Sequence, residues 1–273
     1  SARIYGSSAL SGAVNIVTRT PSRNGARVNM EGGSFGTFGG DAAVSWNPSA
    51  SLQQLLSGGY MQSDGGTANS NFRKRRGFYQ GGFNSTFIRL NWQAGITSQD
   101  FGANTFYSAR FPNQYEATRR YITSASAAIR PFAHSDNTTA ASFEIKPMLY
   151  GHRNYDHFQL IKGMTGAQKG ENYHHLDVYG ASVDVNLSWL LGKTAIGADV
   201  RKEHIMSTAY GQLLDSARWI AIKGTDRMYN KRADRTNTSL FLEHNVVLNK
   251  VTLSAGIMAN RNTALDNNFR FYP

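Results

Sequence analysis

Cysteine does not occur in the 273 residues, which excludes disulfide frameworks and thiolate metal sites and leaves the redox compartment open. No run of about 18 apolar residues occurs, which excludes a transmembrane helix. No secretory signal opens the chain. Its first residue is Ser1 and not Met, so the sequence is expected to be a piece of a longer protein, and the missing signal says little about location. Proline is scarce, at 6 residues, and acidic residues (18) are outnumbered by Lys and Arg (29), giving a net charge of +11. Such a balance ordinarily points to nucleic acid or an anionic surface. The mean hydropathy of −0.43 suggests a water-soluble protein. A transmembrane β-barrel turns only alternate residues toward lipid, however, and its average also looks polar. The 27 Gly and 12% aromatic residues fit that exception.

What is present is period-two alternation. In the stretch 86–97, Ile88, Leu90, Trp92, Ala94 and Ile96 share one face, and Arg89, Asn91, Gln93 and Thr97 the other. This is a strand with one apolar and one polar side. The same pattern covers Ala26–Glu31, Phe38–Trp46, Ser142–Leu149, Ser182–Trp189 and Val251–Asn260, and it is less regular over 52–61 and 75–83. Short connections are expected at 47–51, 84–86, 131–137, 190–193 and 248–250. Long polar or aromatic ones are expected at about 63–72, 99–116, 152–172 and 208–233. Short turns at one end and long loops at the other are how outer-membrane barrels are built. A soluble β-sandwich would also alternate, but many of these strands run past five or six residues, toward the 9–11 of a tilted membrane strand. About eleven barrel strands are expected. Because a barrel must close, these would form about half of a larger one.

The stretch "YGSSALSGAVNIVTRT" breaks the alternation. Val14–Val17 is a short apolar run suited to a strand buried on both faces, and Gly6 and Gly12 suit tight turns. Tyr5, Gly6, Ser7, Ala9, Gly12, Ala13, Val14, Asn15, Ile16, Val17, Thr18 and Arg19 resemble the last plug segment of TonB-dependent outer-membrane receptors. The resemblance implies an all-β fold: the C-terminal end of a plug at residues 1–22, with Tyr5, Gly6, Gly12, Asn15 and Thr18 as its motif. The N-terminal half of a transmembrane β-barrel, about half of a 22-stranded one, then follows over 23–273. It also implies active uptake of a large nutrient across the outer membrane of a Gram-negative bacterium. TonB would be a partner acting through the plug, and outer-membrane lipid and lipopolysaccharide would surround the barrel. A surface lipoprotein is a further possible partner, and nucleic acid is not one.

Two aromatic stretches suggest the ligand. "DFGANTFYSARFPNQYEATRR" (100–120) and "HRNYDHFQLIKGMTGAQKGENYHHLDVYG" (152–180) resemble strings in the cobalamin (vitamin B12) receptors of Bacteroidetes. This implies a binding role for Asn104, Phe106, Tyr107, Asn113, Gln114, Tyr115, Tyr155, Phe158 and Tyr173 in extracellular loops. Aromatic rings would cover the apolar edge of a corrinoid, and amides would pair with its amides. A ferric-siderophore or haem receptor is the alternative. The cluster Arg73, Lys74, Arg75, Arg76 would serve an anionic chelate if it faced the lumen, and lipopolysaccharide phosphates if it formed an external rim. An alternative of another class is an adhesin or docking barrel that transports nothing.

No catalytic group, cofactor site or metal site is expected. His174 and His175 are adjacent and point to opposite faces of a strand. Carboxylates around Asp64 are too sparse for calcium. "GGSFGTFGG" (32–40) lacks the Lys-Ser/Thr of a phosphate loop and reads as a Gly-rich hairpin. The Ser, His and Asp residues have no triad context.

Overall fold

The computed structural model describes residues 23–131 and 142–272. The motif residues Tyr5, Gly6, Gly12, Asn15 and Thr18, and with them the proposed domain boundary at 22, lie outside that range. Twelve strands follow one another in an antiparallel meander: β1 (Gly25–Gly33), β2 (Thr37–Trp46), β3 (Leu52–Ser63), β4 (Phe72–Asn84), β5 (Ile88–Gly102), β6 (Tyr115–Ile129), β7 (Ser142–Gln159), β8 (Glu171–Trp189), β9 (Gly192–Ser207), β13 (Lys231–Val247), β14 (Thr252–Asn262) and β15 (Asp266–Tyr272). Three two-residue strands, β10 (Gln212–Leu213), β11 (Ile220–Ala221) and β12 (Met228–Tyr229), lie in the connection between β9 and β13. Among the described residues β1 and β15 each pair on one side only, so the sheet is an open wall and not a closed barrel.

The register sorts the side chains into two faces. Pro147, Val183, Ala198, Leu240 and Ala259 form one apolar rung across β7, β8, β9, β13 and β14. One residue along, Ser182, Asp199, Ser239 and Asn260 form a polar rung on the opposite face. The apolar face is left open: Val28 is 69% exposed and Met30 75%. A contiguous apolar surface of this extent requires an apolar partner. A membrane supplies one, and 9–11 residues suffice to cross it. β7 and β8 have 18 and 19 residues, so their upper ends project beyond such a band. The apolar face changes character where this is expected. Tyr60, Tyr121 and Tyr179 mark the border, and Arg75, Arg119, Arg153 and Asp177 stand at or above it.

The two irregular segments have a local cause. On β3, Gln54 lies on the apolar face opposite Gly81, in the same row as Trp92. Its side-chain oxygen accepts a hydrogen bond from the Tyr79 hydroxyl, which accepts in turn from the Trp92 indole at 3.3 Å. Gly81 makes room for that indole: a Cβ there would lie 2.2 Å from Trp92 Cε2. A satisfied amide on the apolar face and a glycine under a ring both blur the alternation without altering the strand.

The long connections 64–71, 103–114, 160–170 and 208–230 all emerge at one end of the wall. Two tight turns, 34–36 and 263–265, emerge there as well. The first is the Gly-rich hairpin, where Gly36 adopts φ +62° and the Asp64 carboxylate packs against its Cα. The expected loop 152–172 is corrected to 160–170, because β7 continues to Gln159 and β8 begins at Glu171. Twelve strands replace the eleven expected.

Candidate ligand-binding face and loop mouth

The nine residues of the aromatic stretches do not converge on one site. Strand parity divides Tyr155, Phe158 and Tyr173. Phe158 stands on the polar face. Tyr155 and Tyr173, with Tyr115, stand on the other face, above the tyrosine border. These four are strand residues and not loop residues.

On the polar face, Tyr107 of the 103–114 loop leans over the end of β7. Its ring meets Phe158 edge-on at 5.6 Å, and Phe106 meets Tyr107 edge-on at 4.8 Å. The Tyr107 hydroxyl donates to Glu116. Burial, reinforced by that carboxylate, raises the pKa of the phenol, so Tyr107 stays a donor across physiological pH. Phe106 is 77% exposed, free to meet a ligand. Beneath the rings Asp156 is pushed up to about 6, first by burial and then by the neighbouring Glu116 charge and a hydrogen bond shared with it. Two carboxylates that close cannot both ionise cheaply. The mouth thus offers an aromatic ledge over an acidic pair that sequence reasoning missed. Glu116 and Asp156 are forty residues apart in the sequence, and only the β6–β7 register joins them.

Three predicted ligand residues hold the loops in place. The Asn104 side chain donates to the Ala68 carbonyl at 3.0 Å. The Gln114 carbonyl accepts from Asn69 Nδ2 at 2.7 Å, and Gln114 itself is 2% exposed. The Asn113 carbonyl accepts from the Lys162 backbone N–H at 2.7 Å, tying the third long loop to the second. Backbone groups in loops need such partners, so these amides serve the scaffold; only Asn113 of the three has an exposed side chain near the mouth.

On the other face, stacked rings line the upper ends of β6–β8. Tyr173 stacks on His157 at 4.1 Å and Tyr155 on His175 at 4.5 Å, and Tyr115 meets His157 edge-on at 6.0 Å. Glu171, 1% exposed, anchors the row. It accepts from Gly166 N–H at 2.7 Å, Tyr173 O–H at 2.9 Å and Gln159 Nε2 at 3.3 Å, and it pairs with His157 Nε2 at 2.9 Å. The connection 208–230 packs Ile222, Tyr229 and Leu214 onto Tyr173 and Met206. His174 points the other way, where it stacks on Tyr210 at 5.1 Å and meets the Ser207 hydroxyl at 2.8 Å. Among the described residues no three His, Asp or Glu side chains gather in a metal-binding group.

Alternation also splits the basic cluster. Arg73 and Arg75 lie on the face of Tyr60, and Lys74 and Arg76 lie on the polar face. Arg76 pairs with Asp41 at 3.5 Å, and Arg73 with Asp100 at 3.1 Å. The cluster therefore does not form one patch on one face.

No protein-family model matches the sequence, and no curated protein does. Solved structures do match. The siderophore receptor PirA from Pseudomonas aeruginosa aligns with a TM-score of 0.63 over 98% of this chain and 43% of its own, at 16% identity. The ferric citrate transporter FecA aligns with a TM-score of 0.66 over 99% and 43%, at 13% identity. The copper transporter OprC gives 0.62 over 93% and 42%, at 15% identity. The chain therefore spans less than half the length of these proteins. At such identity the likeness shows the fold: an antiparallel β-barrel wall, partial and unclosed.

Proposed function

We propose that this wall belongs to an outer-membrane receptor of a Gram-negative bacterium that takes up a large, scarce nutrient with energy delivered by TonB, and that the nutrient is a corrinoid. The apolar face meets lipid and the polar face lines the lumen. The barrel fold, the siderophore, citrate and copper transporters that share it, and the plug-like stretch at Tyr5–Arg19 support the transport class. An adhesin would have no use for such a plug segment.

The observation that carries the ligand is the Phe106–Tyr107–Phe158 ledge above Glu116 and Asp156. An exposed aromatic shelf suits the apolar edge of a corrinoid. An acidic pair beneath it repels an anionic iron chelate and tolerates a ligand whose periphery is neutral amide. A second reading, a ferric chelate, is favoured by Lys74, on the rung of Asp156, and by Arg76 and Arg120, one step deeper on the polar face. Calorimetry of cyanocobalamin binding to the whole protein in detergent separates the two. Nanomolar binding that weakens about tenfold or more in Phe158→Ala, the loss of one buried aromatic contact, supports the corrinoid. No binding of cyanocobalamin, with tight binding of a ferric chelate, moves the assignment to the second reading.

A further inference from the structure

At and above the tyrosine border the apolar face carries cations that the uptake reading does not use. Arg75 on β4, Ser98 on β5, Arg119 on β6 and Tyr155 on β7 form one rung. Arg75 and Arg119 are exposed and form no ion pair among the described residues. Two strands apart, their Cα atoms are roughly 10 Å from one another. Arg75 rests its guanidinium 5.8 Å from the Tyr60 ring centroid, which positions it without neutralising it. Arg153, by contrast, is held by Asp177 at 2.5 Å. Arg73 and Arg232 are likewise paired, with Asp100 and Asp234. Lys202 is exposed on the rung of Tyr179, again without an ion pair among the described residues.

Directly below Arg119 on the same face, the β6–β8 surface opens into a groove of about 440 Å³ lined by Tyr121, Thr123, Ala125, Leu149, Gly151 and Tyr179, among others. Gly151 forms its floor. A Cβ there would meet Tyr179 at 3.6 Å and Thr123 at 3.7 Å, ordinary contact distances, so the floor could carry a side chain and does not. The tyrosines wall the groove, its lining is mostly apolar, and the unpaired arginine stands at its upper end.

We propose that this groove and the Arg75–Arg119 pair form a site for one phosphate-bearing amphiphile of the surrounding leaflet. An acyl chain lies along Gly151 between Tyr121 and Tyr179, and the phosphate sits between Arg119 and Arg75, with Lys202 flanking the chain. Charge complementarity selects the occupant: cations left unpaired beside three that are paired, at the height where an apolar surface gives way to a polar one. Guanidinium forks match phosphate oxygens, and being outside the lumen they can serve no transported ligand. The site rests on the reading that this face meets lipid.

The test uses the whole protein purified in neutral detergent, with lipid retention read by native mass spectrometry, so that no transported nutrient is involved and the outcome is independent of the corrinoid assignment. Dioleoyl phosphatidate and dioleoyl phosphatidylcholine, which share their chains, are the probes. The expected result is retention of one phosphatidate per protein, preferred over phosphatidylcholine by about tenfold, a difference of about 1.4 kcal/mol. Arg75→Gln with Arg119→Gln abolishes the preference, and Gly151→Leu, which fills the groove, weakens phosphatidate while leaving the protein folded. Equal retention of both lipids, or a preference that survives the double variant, overturns the proposal. So does retention unaltered by Gly151→Leu. Inorganic phosphate that binds the wild type as well as phosphatidate does would show an anion site without an amphiphile and would overturn it too.

Discussion

Glu171 stays ionised inside a nearly closed shell of donors. Burial alone would raise its pKa, but the Gly166 N–H and the His157, Tyr173 and Gln159 side chains outweigh burial and hold it at about 2. It sits at the first residue of β8, at the long-loop end of the wall. A folded-state pKa below the ordinary carboxylate value contributes stability that is present above that value and lost as pH falls through the folded one. The 160–170 loop therefore keeps its order down to about pH 4 and loosens between there and about pH 2. Glu171→Ala strands the donors and costs roughly 3 kcal/mol of local stability, read as faster proteolysis of the 160–170 loop at pH 7. Unchanged cleavage would remove Glu171 from this role. Asp156 has the opposite sign. Its pKa of about 6 is above the ordinary value, so its contribution is present at low pH and lost as pH rises through 6. Asp156→Asn is expected to flatten the rise in protease sensitivity of the 103–114 loop between pH 5 and 7. A wild-type-like slope in the variant would assign the pH dependence elsewhere.

At the level of strands, alternation is the testable content. Leu240 and Ser239 are neighbours on β13 that face opposite ways. Leu240→Arg places a charge against lipid and is expected to cost about 2–4 kcal/mol near the bilayer midplane, measured as a shift in denaturant midpoint of the whole protein in lipid. Ser239→Arg on the polar face is expected to cost far less. Equal penalties would contradict the face assignment. Gly81→Val drives a side chain into the Trp92 indole and is expected to destabilise by about 1–3 kcal/mol; a neutral effect would mean that the indole has another place to go. The strands were legible in the sequence because their lower halves have one apolar and one polar face, which makes the alternation strict. The upper halves were not. Above the border both faces are polar, so Tyr155 and His157 read as part of a loop from 152 to 172 although they are the ladder partners of His175 and Tyr173. Once a loop is assumed, parity is discarded, and with it the fact that Phe158 faces away from Tyr155. The Glu116–Asp156 pair was invisible for a different reason: it depends on the register between strands, which the alternation of one strand does not encode.

The open wall has consequences for the molecule as a whole. Among the described residues the outer edges of β1 and β15 have no strand partner, and unpaired edges are costly in lipid and sticky in water. A polypeptide of these 273 residues alone is expected to aggregate when refolded into detergent, and a monodisperse folded monomer by light scattering would contradict this. The central claim, however, is that one face of the wall meets lipid and the other a water-filled lumen. These 273 residues contain no cysteine, so once any cysteine elsewhere in the whole protein is replaced, each introduced cysteine is a unique probe. The direct measurement is single-cysteine scanning of Ala181, Ser182, Val183, Asp184, Val185 and Asn186 on β8, in the whole protein in membranes, with a water-soluble maleimide. The account predicts labelling at 182, 184 and 186 and protection at 181, 183 and 185. Labelling without period two, or with the opposite phase, would contradict it.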